Sequence, residues 1–300
     1  MTSGADVDDF EALRTPMLAV AYRLTGTIAD AEDIVQEAWL RWAATDRTAI
    51  KEPRAWLTTV VSRLGLDRLR SAARRRETYV GQWLPEPVVT GFDGADPLAA
   101  VVAAEDARFA AMVVLERLTP DQRVAFVLHD GFALPFPEVA AVLDTTAAAA
   151  RQLASRARRA IAADPAPTPD PEHAEVVGEL MAAMAAGDMA AVVALLHPDV
   201  TFTGDANGHT RTAVHPIHGP ERVARFLFGL ARRYGPALVD SNRLALVNGE
   251  LGVYSAGAPA GEGYQALAPR VTALTVRDGR VAAVWDVANP AKFTGSPLGG

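Results

Sequence analysis

Cysteine is absent from the 300-residue chain, and that single gap removes disulfides, thiolate zinc sites and thiol catalysis. No apolar run comes near the 18 or more residues of a membrane span. The acidic N-terminus lacks the basic start of a signal peptide, so a cytoplasmic protein with no membrane partner is expected. Positive charge is not in excess either: the net charge is −7, which taken alone argues against nucleic acid. What is present is 50% hydrophobic residues, material for two or three domains with real cores.

The average charge hides a polarity. Residues 1 to 40 hold two arginines and eight carboxylates, and residues 41 to 80 hold ten Lys or Arg against four acids, so the two stretches carry −6 and +6. Opposite halves suit opposite partners. Within the acidic half, ADAEDIVQEAWLRW reads as an amphipathic helix. Ala31, Ile34, Val35, Ala38 and Trp42 gather on one side as a buried stripe, and Glu32, Asp33, Gln36 and Glu37 gather opposite. Leu40 projects into that acidic face. A solvated helix surface explains the acids; an apolar knob ringed by carboxylates is also how a docking face for a basic partner is built.

The basic half contains PRAWLTTVVSRLGLDRLRSAARRRE, with Pro53 at a first helical position and Leu57, Val60, Val61 and Leu64 as its buried stripe. The other face carries Trp56, Thr59, Arg63, Arg70 and Arg74, with Arg54 and Arg75 close by. Arginine beside a surface aromatic can hold a phosphate backbone and stack unpaired bases; the plain alternative is a solvated helix with Trp56 half-buried.

Thr119 to Ile161 gives a second such signal. Thr119 and Gln122 form a capping box with Pro120 at the first position, and the helix is expected to end near Asp130 and Gly131. Pro137 opens a short helix ending near Leu143, and Thr145 or Thr146 caps a third, with Ala149, Leu153, Ala157 and Ala160 inward. Arg151, Ser155 and Arg158 face outward, flanked by Gln152 and Arg159. That is the plan of a helix-turn-helix, although a plain helical hairpin shares it. Arg151 and Gln152 suit base edges, and Arg158 and Arg159 suit phosphate.

Together these three segments resemble the extracytoplasmic-function sigma factors of bacterial RNA polymerase. The resemblance implies that Asp30, Glu32, Asp33, Gln36, Glu37 and Leu40 meet the clamp helices of core polymerase. It implies that Arg54, Trp56, Thr59, Arg63, Arg70, Arg74 and Arg75 act on the minus-ten element of promoter DNA. Arg151, Gln152, Ser155, Arg158 and Arg159 then read the minus-thirty-five element. YVGQWLPEP, Tyr79 to Pro87, resembles the linker motif of those sigma factors that carry a SnoaL-like C-terminal extension. Physically it is an apolar anchor, Trp83 and Leu84, on a stiff segment with Pro85 and Pro87.

The implied fold is multi-domain: two all-α helical domains followed by an α+β SnoaL-like cone. The expected divisions are sigma region 2 over 1–78, the linker over 79–104, region 4 over 105–163, a proline-rich linker over 164–171 and the cone over 172–300. The cone is read from a helical pair, the strand VTFTGD, a helix over 221–233 and four alternating segments taken as an antiparallel sheet. Three motifs of the group appear in altered form: DANGH from Asp205, NGELG from Asn248 and NPAKF from Asn289. With Trp83, Leu84 and Pro85, the residues Asp205, Asn248, Gly249, Asn289 and Pro290 are therefore expected as interdomain contacts, although Asn-Gly and Asp-Gly pairs are also what hairpins need. Related cones catalyse, for which Asp205, His209, Asp240 and Asp286 are the acid–base candidates, and His209, His215 and His218 are the candidate metal cluster. The group uses this domain as a regulator, so no catalytic residue, metal or cofactor is expected. Two rival readings stay open: a helix-turn-helix regulator with a ligand-sensing cone, and an isomerase or cyclase tethered to DNA.

Overall fold

A computed structural model describes residues 4–46, 50–75, 79–92, 97–103, 107–163, 172–261, 263–294 and 296. The proline-rich linker 164–171 lies outside them. The chain divides into two compact units: 1–77, 97–107 and 111–166 form the first, and 78–96, 108–110 and 167–300 form the second.

The first unit is helical. Helix α1 (Gly4–Thr25) packs on α2 (Ile28–Ala44) and on α3 (Pro53–Arg75). Thr27 caps α2 by accepting the Asp30 N–H, and Ile28, Ala31, Ile34, Val35, Ala38 and Trp42 form its buried stripe, which the 3.6-residue period anticipates. Gly65 lets α3 approach α1, because a Cβ there stands 2.8 Å from a Leu24 methyl. Helix α4 (Pro97–Val101) adds to α1. Next come α5 (Phe109–Leu115), whose first two residues count with the second unit, and α6 (Pro120–Phe126), which widens into a π-helical turn over Val127–Gly131. Helices α7 (Phe136–Val142) and α8 (Ala147–Ala163) follow. The Thr119–Gln122 capping box forms in both directions, and Thr146 caps α8. The inward stripe of α8 is Ala150, Ala154 and Ala157, and Ala160 is exposed, so the expected stripe is corrected by about one residue.

One fully buried arginine ties these helices together. Arg123 donates from Nε to the Arg23 carbonyl at 2.8 Å and from Nη1 to Glu116 at 2.6 Å. Its charge is thus compensated where desolvation would otherwise be costly.

The second unit holds helices α9 (His173–Ala186), α10 (Met189–Leu195), α11 (Pro220–Tyr234) and α12 (Ala237–Asp240). Its strands are β1 (Val89–Thr90), β2 (Leu196–Asp205), β3 (Ile217–His218), β4 (Asn242–Val247), β5 (Glu250–Ser255), β6 (Arg270–Arg277) and β7 (Arg280–Val287). They form one sheet in the order β1-β4-β5-β6-β7-β2-β3. Every pair is antiparallel except β2 with β7, so the expected antiparallel sheet is corrected to a mixed one. The Asn248-Gly249 and Asp278-Gly279 turns both have two residues at positive φ, as two-residue hairpins require. Val177, Leu180, Val192, Phe202, Val223 and Val284 are among the side chains of the core between helices and sheet.

Candidate functional site

The acidic face of α2 is on the surface. Glu32, Asp33, Gln36 and Glu37 are exposed, Asp30 is half-buried, and Leu40 stands among them at 61% exposure. Arg68 of α3 bonds Asp30 at 2.9 Å and Asp33 at 3.2 Å, and Arg41 bonds Glu37 at 2.7 Å. Such exposed pairs are worth little to stability, so a basic partner can replace them at small cost.

On α3, Trp56 is half-buried with its ring centroid 5.7 Å from that of Trp42, and Thr59 returns its hydroxyl proton to the Ala55 carbonyl. Arg63 and Arg70 are exposed but engaged within the same unit. Arg63 donates to the Ala141 carbonyl of α7 at 2.8 Å, and Arg70 pairs with Asp121 of α6 at 3.0 Å. Arg54 lines a cavity with Pro16, Met17, Phe132 and Leu134. The side chains of Arg74 and Arg75 lie outside those described. On α8, Arg151, Gln152, Arg158 and Arg159 are exposed and Ser155 is half-buried. Arg151 lies over the Phe136 ring at 5.3 Å, and Arg158 pairs with Asp130 at 2.8 Å. Asp121 and Asp130 offset part of the positive charge that DNA would need.

The most elaborate polar cluster belongs to the second unit, where the linker meets the sheet. Asp205, wholly buried at the end of β2, accepts the Leu84 N–H at 2.8 Å, the Tyr79 hydroxyl, and the Lys292 ammonium at 2.6 Å. Lys292, also buried, donates as well to the Leu84 carbonyl and sits over the Trp83 ring, 3.2 Å from its centroid. Asn289 completes the ring by donating to the Tyr79 oxygen at 2.7 Å. Further along, Asn248 accepts the Val88 N–H at 3.0 Å and donates its own N–H to the Val88 carbonyl at 2.8 Å, after which β1 pairs with β4. The Thr294 hydroxyl donates to buried Glu86. Leu84, Pro85, Pro87 and Val89 are buried.

Of the residues expected as contacts, the structure gathers Trp83, Leu84, Asp205, Asn248 and Asn289 here, with Pro85 buried alongside, while Gly249 and Pro290 are exposed. Tyr79, Glu86 and Lys292 were not singled out by sequence reasoning, although Lys292 stands inside NPAKF. Asp205 is occupied by this clasp, whereas Asp286 lines a separate cavity with Arg270. His209, His215 and His218 are all exposed, and among the described residues no group of three or more His, Asp or Glu is placed to hold a metal ion. No described helix is long and apolar enough to cross a membrane.

The Sigma-70 region 2 family matches residues 10–75, Sigma-70 region 4 matches 108–161, and the SnoaL-like domain matches 177–284. The chain belongs to the extracytoplasmic-function (ECF) family of RNA polymerase sigma factors. It is 72% identical over 296 residues to the ECF RNA polymerase sigma factor SigJ of Mycobacterium tuberculosis, covering 98% of this chain and 95% of that one. The crystal structure of that organism's SigJ matches with a TM-score of 0.87 at 70% identity, over 97% and 99% of the two chains. SigG of the same species is 35% identical over 268 residues, 80% of this chain and 70% of its own. As a sigma factor the protein binds core polymerase and promoter DNA to start transcription, and RNA synthesis itself belongs to the polymerase.

Proposed function

We propose a division of labour in which α2 docks on the clamp helices through Leu40 and its acidic ring, α3 acts on the minus-ten element, and α8 reads the minus-thirty-five element through Arg151 and Gln152. Arg63 and Arg70 reach DNA only after releasing Ala141 and Asp121, so promoter phosphates take over contacts that α6 and α7 supply in the free protein. The work takes place in the cytoplasm, where polymerase and promoter are.

The SnoaL-like domain is the regulator of this activity, and it acts through the linker. The observation that carries this reading is the buried Lys292–Asp205 pair closed on the backbone of Leu84. Buried, multiply bonded ion pairs are costly to break one partner at a time, which suits a permanent fixture more than a switch. Since residues 79–90 lie in sequence between region 2 and region 4, anchoring them shortens the free tether joining the two DNA-binding segments. A shorter tether restricts the separations they can span.

The test is transcription by core polymerase on promoters whose minus-ten to minus-thirty-five spacing is varied one base pair at a time. The full chain is expected to prefer a narrow range of spacings, and Lys292→Met, assayed where it remains folded, to accept a broader one. Identical spacing profiles would dissociate the clasp from promoter selection.

A further inference from the structure

The arginines of α8 are engaged differently. Arg158 is held by Asp130 at 2.8 Å, and Arg159 donates from Nε to the Ser155 carbonyl of its own helix at 3.4 Å. Arg151, exposed near the N-terminal end of α8, forms no hydrogen bond or ion pair among the described residues. Its guanidinium carbon lies over the Phe136 ring, 5.3 Å from the centroid. A guanidinium stacked by its face keeps its five in-plane N–H donors free, and that plane is what a guanine edge meets in a bidentate contact.

Phe136 is itself held in place. It opens α7 between Pro135 and Pro137, whose rings fix φ on either side of it. His129, from the π-helical turn, stacks on Phe136 with ring centroids 3.7 Å apart and planes inclined by 29°. Nδ1 of His129 is 2.8 Å from the Leu134 carbonyl, which can only accept, so that nitrogen carries the proton and the ring is pinned across the turn. Ala133, at a φ of 55°, turns the chain back between the two.

We propose that Phe136, braced by His129, is a positioning residue for upstream base recognition: its ring holds the Arg151 guanidinium in the plane with which it selects guanine. The inference rests on the reading of Arg151 as a reader of the minus-thirty-five element. An arginine already stacked loses less rotamer freedom when it meets its base. The gain falls on the one base that Arg151 touches, whereas a purely structural role for Phe136 in seating α7 would act on every promoter alike.

The test is competition binding of holoenzyme, assembled from core polymerase and the full chain, to a promoter and its single-base variants across the upstream element. Phe136→Leu, which keeps a smaller apolar side chain without a π face, is expected to lower the guanine preference at one position about two- to five-fold and to leave the other positions unchanged. Phe136→Tyr keeps the ring and is expected to keep the preference. Arg151→Ala is expected to relax the same position, and adding Phe136→Leu to it to relax that position no further. Thermal melts of the full chain accompany each variant, and where Leu shifts the transition, Phe136→Met, whose chain adapts to the same space, is read in its place. Relaxation by Arg151→Ala with none by Phe136→Leu, an effect of Phe136→Leu at a different position or equally on every variant, or a loss that Phe136→Tyr shares would each overturn the proposal and leave Arg151 as the reader. If Arg151→Ala itself relaxes no position, the reading of Arg151 fails and the proposal falls with it.

Discussion

Replacing Lys292 by Met keeps an unbranched apolar side chain and removes the charge, its donors and the contact of the ammonium with the Trp83 ring. Asp205 then keeps the Leu84 N–H and the Tyr79 hydroxyl but loses its counter-ion, and the Leu84 carbonyl loses a donor. Both charged groups are at most 2% exposed, so water cannot compensate. Stranding one partner of a buried pair costs about 3 to 5 kcal/mol. In a unit of this size that corresponds to a fall in Tm of roughly 6 to 20 °C. Thermal melts of the full chain followed by circular dichroism measure it. The paired Lys292→Met/Asp205→Asn variant removes the stranded charge, keeps the amide oxygen as acceptor for the Leu84 N–H and turns the amide NH2 toward the Tyr79 oxygen, and is expected to recover about half of the loss. A single variant within about 1 kcal/mol of the parent, as for an exposed pair, would refute the reasoning.

Leu40→Ala is expected to leave stability within about 0.5 kcal/mol of the parent, and to weaken core polymerase binding about ten-fold by titration, as truncating a central anchor does. Arg151→Ala should cost about 1 to 3 kcal/mol in promoter binding and relax preference at one upstream base, read by competition among single-base promoter variants. Burial raises the Glu250 carboxyl above its ordinary value of 4.5, against the opposing pull of His173 and then Arg108. The folded state therefore holds that proton to higher pH than the unfolded chain, and the contribution of Glu250 to stability falls as pH rises through the interval above 4.5. Glu250→Gln should flatten that slope, as denaturation midpoints across the interval will show.

Periodicity made the first two helical segments legible, because α2 and α3 alternate strongly apolar and charged residues. It failed on α8, where a run of alanines on every side gives little contrast and the buried stripe is Ala150, Ala154 and Ala157. The Asn-Gly and Asp-Gly turns were readable because few residues accept positive φ. The parallel β2–β7 pairing was not, since it joins strands distant in sequence that no hairpin connects. The clasp was half visible. WLPEP announced an apolar anchor, yet a lone lysine in a terminal loop reads as a solvated residue, and only the fold buries Lys292 against Asp205. The engagement of Arg63 and Arg70 by α7 and α6 was likewise hidden, because a basic helix face looks the same whether it awaits DNA or rests on its own chain.

The central claim is that linker and cone form one fixed element throughout initiation. Val89 and Val247 are directly paired across β1 and β4, at a separation that suits a disulfide, and the chain has no cysteine to interfere. Promoter-directed transcription by core polymerase with Val89→Cys/Val247→Cys, compared oxidised and reduced, tests the claim directly. Equal transcript yields are predicted, because the clasp does not open; a yield that changes on oxidation would show that initiation requires the linker to leave the cone.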